Sequence, residues 1–182
     1  MLMRVLAVLS AFSFGAAALA ADVPQVGDLA ADFTLNDLAG NAVKLSDCTA
    51  KGPVVVVVLR GYPGYQCPLC TKQFTKFLAD AEEFKNAGVE TLFIYPGPAD
   101  QLPLRAKEFV KGKTLPAQYR FLIDPDYVFT KAYHLRWDVK NETAYPSTFI
   151  IDGKNKIRFA KISKTHGDRT DPKEVLKAIP AK

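Results

Sequence analysis

The 182-residue chain carries 24 lysines and arginines against 19 aspartates and glutamates, a net charge of +5 at neutral pH. The excess is spread over lysines such as Lys72, Lys76, Lys107, Lys111, Lys113, Lys154, Lys156, Lys161 and Lys164. It is not gathered into a patch with base-stacking aromatics, so it reads as solvated faces and not as a nucleic-acid surface.

Residues 1–20 run from Arg4 through an apolar stretch, Val5 to Leu9 and Ala11 to Leu19, into Ala18-Leu19-Ala20. A basic start, a short apolar run and a small-residue end describe a secretory signal peptide cut before Ala21. Ser10, Ser13 and Gly15 interrupt a segment already shorter than the roughly 20 apolar residues that span a bilayer. The expectation is a periplasmic or secreted protein with no membrane span after cleavage. Loss of residues 1–20 removes Arg4 alone among the charged residues, leaving a net charge of +4. Residues 21–182 are of a size for one domain, and export places the three cysteines where disulfides persist.

In chain order, Asp32-Phe33-Thr34-Leu35 and Val43-Lys44-Leu45 flank Leu38-Ala39-Gly40-Asn41 and predict a β-hairpin. Val54 to Leu59, five valines and a leucine, predicts a central strand covered on both faces. The turn-rich segment Gly61-Tyr62-Pro63-Gly64-Tyr65-Gln66 follows, and Cys67-Pro68 opens a helix, proline being well tolerated at the first helical position. Cys70, Phe74, Phe77, Ala81 and Phe84 give that helix one apolar face up to Gly88. Val89 to Tyr95 reads as a strand, Leu104 to Val110 as helix and Phe121-Leu122-Ile123 as strand, with Asp124-Pro125 capping a helix to Tyr133. Thr148 to Ile151 and Lys156 to Ala160 form a hairpin turning at Asp152-Gly153, and Asp171-Pro172-Lys173-Glu174 starts a last helix. Alternating strands and helices closed by an antiparallel pair describe an α/β fold, a central mixed sheet flanked by helices with an N-terminal β-hairpin extension.

The chemistry concentrates in Cys67-Pro68-Leu69-Cys70. Two thiols three residues apart at a helix start can close a short disulfide loop, and the helix N-terminus favours a thiolate, the nucleophile of disulfide exchange. A zinc site needs about four ligands, and the remaining candidates are Cys48, His134 and His166, with no second paired motif. The dithiol carries its own electrons, so no cofactor is read from the motifs.

The sequence resembles the thioredoxin-like redoxin superfamily, and within it the AhpC/TSA peroxiredoxin-like branch. The likeness is carried by Val26-Gly27-Asp28 through Leu35 and Leu45-Ser46-Asp47, by Val54 to Cys70, by Phe121 to Asp126 and by Tyr145-Pro146-Ser147-Thr148-Phe149-Ile150-Ile151-Asp152. It implies a thioredoxin-like fold. Pro63 precedes Cys67 and Cys70 at peroxiredoxin spacing, which makes Cys70 the counterpart of the peroxidatic cysteine and puts Cys67 where a threonine or serine is usual. Where those enzymes carry an arginine before the late strand, this chain has Pro146. A proline there resembles the cis-proline of thioredoxins, so Cys67, Cys70 and Pro146 are the candidate catalytic residues, with the Tyr145–Pro146 bond expected to be cis.

The leading expectation is an exported thiol-disulfide oxidoreductase, Cys67 attacking and Cys70 resolving, acting on protein or small-molecule disulfides with an external thiol as donor or acceptor. The alternative is a thiol peroxidase acting on hydroperoxides, with Cys70 or Cys67 peroxidatic and Cys67 or Cys48 resolving. A minor alternative is a copper-binding assembly factor, which needs His134 or His166 to reach the cysteines. Arg60, at the end of the central strand, is placed to lower a thiol pKa or to be solvated. Tyr62 and Tyr65 are read as rim or packing residues, Trp137 as core or rim packing ahead of substrate contact, Glu142 as a surface acid or a weak substitute for the buried carboxylate that helps deprotonate a resolving thiol in thioredoxins, and Cys48 as a partly buried spectator.

Overall fold

The computed structural model describes residues 23–179. The expected signal peptide, residues 1–20, therefore lies outside the described residues. The expected hairpin forms as β1 (Thr34–Asp37) and β2 (Ala42–Lys44), followed by a one-turn helix α1 (Leu45–Thr49), which the sequence pattern had not indicated because five residues carry no periodicity. The valine run is β3 (Val54–Val58), every residue buried. Then come α2 (Pro68–Ala79), α3 (Ala81–Asn86), β4 (Glu90–Gly97), α4 (Leu102–Val110), β5 (Tyr119–Pro125), α5 (Val128–Ala132), β6 (Ser147–Ile151), β7 (Ile157–Ile162) and α6 (Pro172–Ala178).

The strands form one mixed sheet in the order β2-β1-β5-β4-β3-β6-β7. β3 pairs in parallel with β4 and antiparallel with β6, Val58 standing opposite Ser147. Alternation along β3 assigns its side chains to two cores. Val55, Val57 and Leu59 meet α2, α3 and α4 through Cys70, Phe74, Phe77, Phe84 and Phe109. Val54, Val56 and Val58 meet α1 and α5 through Leu45, Cys48 and Phe129. The expected fold is thus present: a thioredoxin-like mixed sheet with helices on both faces and an N-terminal hairpin added at its edge.

Two local expectations need correction. The helix predicted from Cys67 to Gly88 is broken at Asp80, which leaves helical geometry (φ −96°, ψ 19°). Aspartate competes for backbone hydrogen bonds and is a poor interior residue; the apolar stripe nevertheless continues through Phe77, Ala81 and Phe84, so periodicity alone hid the break. The second concerns Pro146: the described residues contain no cis peptide bond, so Tyr145–Pro146 is trans. The chain reaches β6 from an antiparallel bridge between Arg136 and Ala144, already extended, and a proline just before a strand satisfies that path without an amide N–H.

Candidate active site

The site lies at the end of the sheet where β3 runs out. After Leu59 the chain is laid against Pro96 of β4: Tyr62 N donates to Pro96 O at 2.9 Å. Gly61 adopts φ +77°, and a Cβ there would stand 2.0 Å from Pro96 O, so only glycine permits this close approach. The loop is pinned again at Gln66, whose Oε1 accepts from Tyr95 Oη at 2.6 Å and whose Nε2 donates to Arg105 O at 2.8 Å. These ties deliver Cys67 to the N-cap of α2, with extended backbone (φ −75°, ψ 115°) and Pro68 beginning the helix.

Cys67 and Cys70 are both buried, at 3% and 0% exposure, and all three cysteines are free thiols. The Cys67 thiol is brought down to about 5, first by the neighbouring Cys70 thiol, against the cost of burial, then by the Cys70 backbone N–H, the Arg169 charge and Arg60. Cys70 moves the other way, well above the usual thiol range, because burial disfavours its anion and the proton it shares with Cys67 stays with it. The pair therefore holds one thiolate, on Cys67, and one thiol, on Cys70.

Two guanidiniums account for the cationic surroundings. Arg169 Nη2 is 3.7 Å from Cys67 Sγ, its Nη1 donates to Gln73 Oε1 at 3.1 Å and its Nε to His166 O at 2.8 Å. Arg60, 3% exposed, donates through Nε to Glu142 Oε2 at 2.6 Å, through Nη2 to Glu142 Oε1 at 3.0 Å and through Nη1 to Tyr65 Oη at 2.7 Å. Its bond to the shared carboxylate keeps it firmly protonated despite burial. Glu142 is presented by Asn141, which adopts the left-handed φ of +63° that asparagine tolerates.

This arrangement revises several sequence readings. Arg60 is a site residue and not a solvated strand end. Glu142 is not a surface acid: its side chain is 10% exposed and binds both Arg60 and His166. Pro146 stands at the correct end of the sheet, one residue before Ser147, but what it offers is a carbonyl accepting from Ser163 N at 2.8 Å. A guanidinium stands beside Cys67 all the same, that of Arg169. Nothing in the local pattern of Gly167-Asp168-Arg169 marked it; only the return of the chain past α2 brings it to Cys67.

Cys48 is remote from this chemistry. It packs on the opposite face of the sheet, before β3 begins, whereas Cys67 follows its end, and five strand residues span about 17 Å. Disulfides need Cα atoms within about 7 Å, so Cys48 does not resolve a sulfenic acid on either site cysteine within one chain. Burial, then Glu90, pushes its thiol up to about 11. Among the described residues no three His, Cys, Asp or Glu side chains gather as metal ligands, and His166 turns to Glu142. Trp137 packs as expected, stacked on Tyr145 at 4.8 Å between ring centroids.

The AhpC/TSA family model matches residues 26–160. The chain belongs to the AhpC/TSA family. Among relatives, it is 33% identical to a chloroplastic peroxiredoxin Q of Oryza sativa subsp. japonica over 133 residues, 73% of this chain and 57% of that protein. The chain thus spans little more than half the length of this plant relative. Among solved structures it is similar to peroxidoxin BcpB from Mycobacterium tuberculosis, with 26% identity, a TM-score of 0.64 and coverage of 86% of this chain and 98% of the other. A peroxiredoxin-like protein from Aquifex aeolicus, 16% identical with a TM-score of 0.71 over 87% of this chain and 88% of its own, shares the fold. In this chain a second cysteine, Cys67, stands at the N-cap of α2, three residues before Cys70.

Proposed function

We propose that this AhpC/TSA chain is a thiol-dependent peroxidase in which Cys67 is the attacking thiolate and Cys70 the resolving thiol. The observation that carries this reading is the placement of Cys67 Sγ, a thiolate near neutral pH, 3.7 Å from Arg169 and under the influence of Arg60. Thiolate charge moves onto a departing oxygen during peroxide reduction, and preorganised donors at such a position contribute factors of about 100 to 1,000 each.

The Cys67 sulfur attacks one peroxide oxygen; the S–O bond forms as the O–O bond breaks, and the departing oxygen takes a proton and leaves as water or an alcohol. Cys67 is then a sulfenic acid. The Cys70 thiol gives up its proton and attacks the Cys67 sulfur, the S–S bond forms, the S–O bond breaks and water leaves. Two external thiols, or one dithiol, then attack in turn through a mixed disulfide, return two electrons to the Cys67–Cys70 pair and leave as a disulfide.

Exchange with disulfides is the second reading, supported by the same dithiol at a helix start. Burial favours the peroxide: at 3% exposure Cys67 is reached more readily by a small hydroperoxide than by the in-line approach of a protein disulfide. The chain's Arg4, apolar run and Ala18-Leu19-Ala20 further support export to the periplasm or medium, which amino-terminal sequencing of native material beginning at Ala21 would bear out and one beginning at Met1 would refute.

The deciding experiment mixes the reduced protein with hydrogen peroxide or an organic hydroperoxide in a stopped-flow instrument, and traps sulfenic acid with dimedone. Cys70→Ser should still be oxidised rapidly at Cys67, and Cys67→Ser should not react. Rapid oxidation of Cys67→Ser at Cys70 would reverse the two roles. Oxidation no faster than that of a free thiol, together with rapid reduction of insulin disulfides, would leave disulfide exchange as the function.

A further inference from the structure

His166 takes no part in the chemistry above, yet it touches both arms of the site. Its Nε2 lies 2.9 Å from Glu142 Oε1, the oxygen that also accepts from Arg60 Nη2 at 3.0 Å. Its backbone carbonyl accepts from Arg169 Nε at 2.8 Å. The imidazole packs against Trp137, with ring centroids 5.0 Å apart. One residue thus reaches Arg60 through a shared carboxylate and holds Arg169 directly.

The segment bearing His166, residues 163–171, is a strap between β7 and α6. It is fastened at its ends, where Ser163 N donates to Pro146 O at 2.8 Å, Gln73 Nε2 donates to Thr170 O at 3.2 Å and Lys76 Nζ pairs with Asp171 at 2.7 Å. Between these ties, Lys164, Thr165, Gly167 and Asp168 are exposed. The Asp168 side chain pairs with Lys161 of β7 at 3.6 Å, a partly exposed contact worth little. Apart from Arg169 itself, the middle of the strap is moored to the body of the protein by the His166 side chain.

We propose that His166 is a positioning residue for the Cys67 thiolate, mooring the strap to Glu142 and Trp137 so that Arg169 is set against the sulfur while Arg60 stays oriented. This rests on the reading of Cys67 as the attacking thiolate. The charged groups in contact with His166 are Glu142, with Arg60 behind it, and on its own strap Arg169, which donates to its carbonyl. Without the imidazole the strap gains conformational freedom, and the Arg169 charge moves outward, where water screens it from the sulfur. Nε2 needs only to carry a hydrogen for the mooring, so a neutral donor serves as well as a cation.

The test measures alkylation of Cys67 in the full chain by iodoacetamide against pH, with the modified cysteine identified by mass spectrometry, a readout that needs no peroxide. His166→Ala should raise the midpoint by about one unit, about tenfold less thiolate below the wild-type midpoint. His166→Gln, which keeps a donor for Glu142, should restore most of it. Arg169→Gln should raise the midpoint comparably, and adding His166→Ala should then move it less than in the wild type. Trp137 is the only tryptophan, so its emission should also change in His166→Ala. A midpoint in His166→Ala equal to wild type, His166→Gln shifted as far as the alanine variant, or an undiminished shift on top of Arg169→Gln would overturn the proposal. A shifted midpoint alongside slow peroxide oxidation would refute the peroxidase reading and leave the role of His166 intact.

Discussion

Replacing Arg169 by glutamine removes a full charge 3.7 Å from Cys67 Sγ while keeping a side chain that can still meet Gln73. At that separation the attraction is about 1 kcal/mol in bulk water and about 4 kcal/mol at an effective dielectric of 20. Arg169 is only partly buried and the thiolate has other partners, so the lower half of that range applies, about 1–2 kcal/mol or about one pKa unit. Cys67 is the acid whose anion is favoured, so losing a cation raises its midpoint from about 5 toward about 6. Near pH 5 the thiolate fraction then falls from about half to about a tenth, whereas near pH 7.5 both proteins remain more than about 95% thiolate. The thiolate's ultraviolet absorbance against pH measures the ground-state effect, and stopped-flow peroxide oxidation near pH 7.5 measures what remains. A loss there of about 100-fold would belong to the transition state, where Arg169 meets the departing oxygen. A midpoint still at about 5, with oxidation near pH 7.5 within about twofold of wild type, would refute the assignment of Arg169 to the site.

Glu142→Ala leaves the Arg60 guanidinium buried without its carboxylate and should cost about 3–5 kcal/mol of stability, read from urea unfolding; a loss under about 1 kcal/mol would show that Arg60 is solvated. Cys48→Ser should leave peroxide consumption and formation of the Cys67–Cys70 disulfide unchanged, as judged by turnover and by non-reducing peptide mapping, since Cys48 faces the other core; loss of disulfide formation would contradict that separation.

The order of elements was legible in the chain because each carries a local signal. The valine run permits no other reading than a covered strand, Gly40-Asn41 and Asp152-Gly153 turn two hairpins, and Cys67-Pro68 starts a helix. The reactive pair was legible for the same reason: spacing and helix placement are properties of four consecutive residues. The break at Asp80 was not, because the apolar stripe that packs α2 and α3 against β3 and β4 keeps its period across it. Which thiol is the thiolate was decided only in three dimensions. Arg60, Glu142, His166 and Arg169 are up to 109 positions apart, and each alone is an ordinary polar residue in a loop or at a strand end. Antiparallel pairing of β6 with β3, and of β7 with β6, carries residues 163–171 back past α2, and a buried guanidinium then needs a carboxylate within reach. Charge acts through space and not along the chain, so the electrostatics that separate Cys67 from Cys70 belong to the tertiary structure, while the identity of the two cysteines belongs to the sequence.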